Sequence, residues 1–321
     1  MKYQRLVYPD VYSLPYFFTD RVEFLQDGSS IEVGRFDLII SELNRTPRQL
    51  EYLASVTSAA HTPVAIVPGP PELLASTLEA NSLDAARQVL SGAAHVWAYS
   101  EKIRAFIDGL YGEAIARLIP WPFDYARTAS FAQNDGAGDE HHVVLGIPLR
   151  FSGTSQNFPL ILRAVLLDAL SSMPARERTR FRFHAYVYSD EDRQQYETTG
   201  FARDLPVRLQ GKRSYRSFLR FLAGCDGVIN PTAGSILGRI TFLAAALNKP
   251  GIFSDNAEIN SLLYPAGTVT LLDPAALRTA VGSLLTGIAN GAVPPDFAPD
   301  TAAAARIGDF EANAEIMRAL L

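Results

Sequence analysis

The residues best equipped for chemistry stand between positions 208 and 239. Arg208, Lys212, Arg213, Arg216 and Arg220 follow one another with no acid among them. A short apolar run, GVIN at 227–230, comes next. It leads into a turn of small residues, Thr232, Ala233, Gly234 and Ser235, then Ile236 and, beyond Gly238, Arg239. A turn of this kind, at the carboxyl end of a buried strand and the start of a helix, leaves backbone N–H groups free and points the positive helix end at whatever sits there. It suits a diphosphate, and the cations before it suit its charge; the same basic run would also suit a solvated helix face. A second candidate is GIPLRFSGTSQN at 146–157. There Arg150 follows a strand and could grip a diphosphate bidentately, with Gly153 and Thr154 in a small polar loop and Gln156 ahead of a helix.

Strands and helices must alternate to position these groups, and the sequence reads that way. Strands are expected at 5–8, 36–41 (FDLIIS), 63–67 (PVAIV), 95–98 and 116–119, with helices at 46–59, 82–91 and from Ser100, as N-cap, to about 111. A polar Gly- and Asp-rich stretch interrupts the series around 127–141. A second series has strands at 143–147, 181–188, 207–209, 227–230, 251–254 and 269–271, and helices at 157–170, 214–223 and 274–285. Strand–helix alternation implies parallel sheets with right-handed crossovers. The expected architecture is α/β, with two Rossmann-like parallel-sheet domains facing across a cleft: residues 1–128, a linker at 129–141, and residues 142–300. A helix over 301–321 is expected to pack back toward the first domain.

Ligands in such sheets bind beyond the carboxyl ends of the strands. That rule puts Tyr8, Asp10 and Tyr12, Ser41 and Glu42, and Pro68 and Gly69 on the first domain's side of the cleft. Asp10 and Glu42 could bind ligand hydroxyls or serve as a base; each could equally cap a helix or sit in a loop.

Composition narrows the function. A net charge of −5 over 321 residues gives no global basic field for nucleic acid. The single cysteine, Cys225, excludes an internal disulfide framework. No Walker loop and no GxGxxG fingerprint occurs, and the five histidines lack metal-ligand spacing, so no metal and no cofactor is expected. His184, inside a strand, reads as a satisfied core residue; His141 and His142 begin a strand at the linker. No run is long and apolar enough to span a membrane, and residues 1–18 lack a signal-peptide core, so a cytoplasmic protein is expected, with peripheral membrane contact left open.

The order of these elements resembles the GT-B glycosyltransferases, in particular the retaining group 1 enzymes that use nucleotide sugars. Their donor-domain pattern is Pro-Ser, two residues, Glu-Gly-Phe-Gly, four residues, Glu-Ala, then Gly-x-Pro and a strand ending in Ser-Asp. With that spacing stand Pro231, Thr232, Ser235, Ile236, Leu237, Gly238, Leu243 and Ala244, then Asn248-Lys249-Pro250 and Ser254-Asp255, with Asp226 before the strand. Ser100-Glu101 and Ile119-Pro120-Trp121-Pro122-Phe123-Asp124 resemble the family's passage into its linker. The departures are specific. The family's paired glutamates fall at Ser235 and Leu243, its donor arginine and lysine near Arg150 and Gln156, and its His-Gly pair at Pro68-Gly69. The resemblance implies transfer of a sugar from a nucleoside-diphosphate sugar to a hydroxyl of a glycan, lipid-linked glycan or protein, without a metal. The lost glutamates imply an alternative: a degenerate member that binds and stabilises an active enzyme as its protein partner.

Overall fold

The computed structural model describes residues 17–18, 36–43, 47–59, 63–68, 80–132, 139–146, 159–187, 190–198, 201–211, 213–231, 238–270 and 273–321. These fall into two compact units. The first runs to Asp124 and resumes at Gly308–Leu321; the second begins at Tyr125 and ends at Ile307.

In the first unit, β1 (Ile39–Leu43), β2 (Val64–Pro68), β3 (His95–Ala98) and β4 (Ala116–Leu118) form one parallel sheet in that order. The helices α1 (Pro47–Ala59), α2 (Ala80–Gly92) and α3 (Glu101–Tyr111) connect them. Period-two alternation sends side chains to both faces. Val64, Ile66, Val96 and Ala98 pack with Leu50, Leu53, Val56, Val89, Ile103 and Ile107 of the helices. On the other face Ala65, Val67, Trp97 and Tyr99 pack with Phe17 and Ile119. Ser100 caps α3 as expected, its Oγ accepting from the Ile103 amide at 3.2 Å; such a cap is worth about 1 kcal/mol.

The second unit carries α4 (Tyr125–Ala129), β5 (His141–Leu145), α5 (Pro159–Ser171), α6 (Ala175–Arg178), β6 (Phe181–Tyr186), α7 (Asp190–Thr198), α8 (Phe201–Asp204) and β7 (Val207–Gln210). It continues with α9 (Tyr215–Ala223), β8 (Gly227–Asn230), α10 (Arg239–Ala246), β9 (Gly251–Ser254), α11 (Glu258–Leu263), β10 (Thr268–Val269), α12 (Pro274–Ala289) and α13 (Thr301–Ile307). Its parallel sheet has the order β10-β9-β8-β5-β6-β7. One face buries Val143, Leu145, Phe181, Phe183, Ala185, Ile229 and Ile252 against α5 and α12. From β5 the chain steps outward to β6 and β7, then returns through α9 to lay β8 on β5's other side. The order therefore reverses between β5 and β8.

Three expectations need correction. The first described strand is shifted: β1 ends at Leu43, because its pairing with β2 runs from Ile39 opposite Val64 to Leu43 opposite Pro68. Ser41 and Glu42 lie within the strand rather than after it. The expected helix over 301–321 is two helices, α13 and α14 (Phe310–Ala319). Asp309 starts the second by accepting from the Ala312 amide at 3.2 Å. The strand expected at 143–147 begins two residues earlier and ends at Leu145. Helix α14 belongs to the first unit, where Phe310, Ala314 and Met317 join the core around Trp97. Phe310 lies 4.8 Å from Phe17, ring to ring, and Arg318 Nε donates to the Phe17 carbonyl at 3.0 Å.

Candidate functional site

A doubly wound sheet opens a crevice where its strand order reverses, here at the carboxyl ends of β5 and β8. Leu145 pairs with Ile229, and the Gly146 amide donates to the Ile229 carbonyl at 2.8 Å. The next residue on β8 is Asn230, buried at 1% exposure. Its Oδ1 has no hydrogen-bond partner among the described residues. It lies over Gly146: a Cβ built there would meet Oδ1 inside van der Waals distance and Cγ at 3.0 Å. An orphaned buried acceptor costs about 1–3 kcal/mol, which a ligand donor would recover. Turned through a half-circle, the same amide would present its N–H groups to an anion.

Gly238, the next described residue after Pro231, adopts φ 65° at the start of α10. Behind that start, buried Asn260 donates Nδ2 to the Ser254 carbonyl at 2.8 Å and accepts from Thr241 Oγ1 at 2.6 Å. β9, α10 and α11 are thus tied together beside the start of α10.

The basic edge is less free than its sequence suggests. Arg208 is bound to Glu140 at 3.2 Å, and Arg182 reaches the same carboxylate at 2.7 Å. Arg213, one residue past Lys212, is exposed at the carboxyl end of β7. Its Nη2 donates to Gln210 Oε1 at 2.7 Å, and its guanidinium lies 4.7 Å over the Phe221 ring. Arg239 is the first residue of α10 and is exposed. The expected Arg150, Gly153, Thr154, Gln156, Lys212, Thr232, Ala233, Gly234, Ser235 and Ile236 lie outside the described residues. So do Tyr8, Asp10, Tyr12 and Gly69. Of the acceptor-side candidates, Ser41 and Glu42 lie inside β1, which ends at Leu43, and buried Pro68 is the last residue of β2.

Cys225 is no nucleophile: burial pushes its thiol up to about 12. Among the described residues no three His, Cys, Asp or Glu side chains converge as a metal site, and no helix is long and apolar enough to cross a membrane.

Burial first, then His142, Arg208 and Arg213, hold His184 down to about 4, while Glu140 pulls the other way. The unfolded chain therefore takes up more protons than the folded one between about 4 and the ordinary 6.5. The stability linked to His184 is complete above that window and is lost as pH falls through it. Thermal melts from pH 7 to 4 should show the midpoint of the native protein dropping more than that of a His184→Asn variant.

Sequence reasoning missed Asn230. The signal was present: one polar residue ending an otherwise apolar strand, at the end where parallel sheets bind ligands.

No family profile matches the sequence, and no curated protein does. Solved structures do match. The sucrose-phosphate synthase from Thermosynechococcus elongatus superposes with a TM-score of 0.68 at 16% identity, over 89% of this chain and 73% of that one. The Anabaena protein HepE, in complex with UDP and glucose, gives 0.64 at 17% identity over 89% and 77%. An α,α-trehalose 6-phosphate synthase from Burkholderia multivorans gives 0.60 at 12% over 88% and 70%. These neighbours are GT-B glycosyltransferases, and the two parallel sheets of this chain share their fold.

Proposed function

We propose that this chain transfers a sugar from a nucleoside-diphosphate sugar to a hydroxyl acceptor, and that the crevice between β5 and β8 holds the donor. The observation that carries this reading is the unpartnered Asn230 oxygen, buried over a glycine at the point of strand-order reversal. The HepE complexes with UDP and UDP-glucose lend support from a protein of the same fold.

Breaking the sugar–phosphate bond leaves negative charge growing on the diphosphate. Donors fixed in advance around that charge stabilise the transition state more than the ground state. Amides of 232–235, with Arg150, Lys212 and Arg213, would supply them without a metal. Asp10 or Glu42 would orient the acceptor hydroxyl or take its proton. The group 1 resemblance implies retention at the sugar's anomeric carbon. A cytoplasmic setting and a glycan, lipid-linked or protein acceptor complete the reading.

Calorimetry with UDP, GDP, ADP and dTDP tests it. At least one should bind, and Arg150→Ala should weaken that binding more than about tenfold, since a charge-assisted contact worth over about 1.4 kcal/mol is removed. Normal affinity in the variant takes Arg150 out of the site. One observation favours the second reading, a non-catalytic partner of an active transferase. Under the group 1 resemblance Leu243 falls where the family has its ribose-binding glutamate, and it is buried in α10. Under that reading none of the four diphosphates binds.

A further inference from the structure

Arg213 dictates a series of assignments that runs from the carboxyl edge of the second sheet back into its interior. A guanidinium can only donate. The Gln210 atom 2.7 Å from Arg213 Nη2 must therefore be the amide oxygen. The amide nitrogen then points the other way, 3.1 Å from Nδ1 of His184. Because that nitrogen donates, Nδ1 is the bare nitrogen of a neutral imidazole, and the His184 proton sits on Nε2. Nε2 is 3.0 Å from Nδ1 of His142, which must accept. The His142 proton is left on its own Nε2, which faces Glu140 at 4.0 Å. One surface cation thus fixes the direction of three successive hydrogen bonds on β5, β6 and β7.

His184 is buried at 3% exposure, so it acts on a ligand only through its neighbours. The Phe221 ring under Arg213 also meets the His184 ring edge-on, at 4.9 Å and 75°. Guanidinium, amide, imidazole and phenyl ring therefore brace one another. An arginine side chain carries about 2 kcal/mol of rotamer entropy, and holding it still beforehand removes that cost from binding.

We propose that Gln210, His184 and His142 are positioning residues that hold Arg213 over the Phe221 ring as a preformed contact for the nucleoside diphosphate. This inference rests on the donor-binding reading above and adds the residues that act behind the contact. A second proton on His184 would set Nδ1–H against the Gln210 amide N–H. The amide would have to turn, present its nitrogen to Arg213 and release it. The charged and titratable groups facing His184 are His142, Arg208, Arg213 and Glu140.

The test is a double-mutant cycle on nucleotide affinity. UDP, GDP, ADP and dTDP are titrated into the native protein, and the tightest is carried through Gln210→Met, Arg213→Ala and the double variant. Gln210 is only part-buried, so methionine of similar length removes the amide without opening a core cavity. Gln210→Met should weaken binding about tenfold, which is about 1.4 kcal/mol. The double variant should bind no worse than Arg213→Ala alone, which a merely structural role for Gln210 would not produce. Nitrogen-15 spectra of the native protein at pH 7 should show both His184 and His142 with the proton on Nε2. Losses that add in the double variant, unchanged affinity in Gln210→Met, or a proton on Nδ1 of His184 overturns the inference alone. Failure of all four diphosphates to bind the native protein sinks it together with the transferase reading.

Discussion

Replacing Gly146 with alanine should cost the protein about 1–3 kcal/mol of stability and nearly all of its nucleotide affinity, from one added methyl group. The Cβ would fall inside van der Waals distance of Asn230 Oδ1, 3.0 Å from its Cγ and 3.5 Å from its Cα. The Asn230 side chain is buried at 1% exposure, so moving it aside would disturb packed neighbours. The strand cannot yield either, because the Gly146 amide is hydrogen-bonded to the Ile229 carbonyl at 2.8 Å. A compensating variant separates the two effects. Gly146→Ala with Asn230→Ala removes the colliding atoms, so denaturant melts should show stability largely restored. Calorimetry on the same protein should still show weak nucleotide binding, because the polar group is gone. Full affinity in the double variant would remove Asn230 from the site.

Gly238→Ala should be the most destabilising small substitution near the crevice. Gly238 holds φ 65°, a conformation that costs an L-residue roughly 1–2 kcal/mol. An added Cβ would also collide with Ile259 Cγ2 and come within 3.3 Å of Asn260 Oδ1. With about 1–3 kcal/mol of overpacking on top, the expected loss is about 2–5 kcal/mol by urea unfolding. The collision pushes on the side chain that joins Thr241 to the Ser254 carbonyl. Nucleotide affinity should fall even under conditions where the variant stays folded. A loss below about 0.5 kcal/mol, the scale of an ordinary surface change, would show that α10 can begin without this glycine.

Much of the fold is legible in the sequence because parallel strands buried on both faces leave unbroken apolar runs. PVAIV and GVIN mark β2 and β8, and Ser100 marks the start of α3. Legibility ends where tertiary pairing decides. The run LII suggests a strand, but register with β2 sets its end at Leu43. Helix α7, DEDRQQYET, has no apolar periodicity to announce it. The α13–α14 break was readable in Gly308-Asp309, since aspartate is a strong helix starter; an alanine-rich stretch masked it.

The candidate site divides the same way. A small-residue turn after a strand is a local signal. His142 and His184 are 42 positions apart, and their meeting depends on β5 lying beside β6. His184 was expected to be a satisfied core residue. It is satisfied, but by a wire that ends on a surface arginine, and no local pattern encodes that.

Helix α14 carries a consequence for biosynthesis. The hydrogen bonds that seat it join Arg318 to Phe17 and Asn313 to Trp121, spanning 301 and 192 positions. A sheet translated early leaves the face bearing Val67, Trp97 and Tyr99 without Phe310, Ala314 and Met317 until everything through Met317 has been made. The second unit, closed by Ile307, is complete first. Folding on the ribosome runs out of order, and a nascent chain stalled short of α14 presents a greasy surface that chaperones would have to guard.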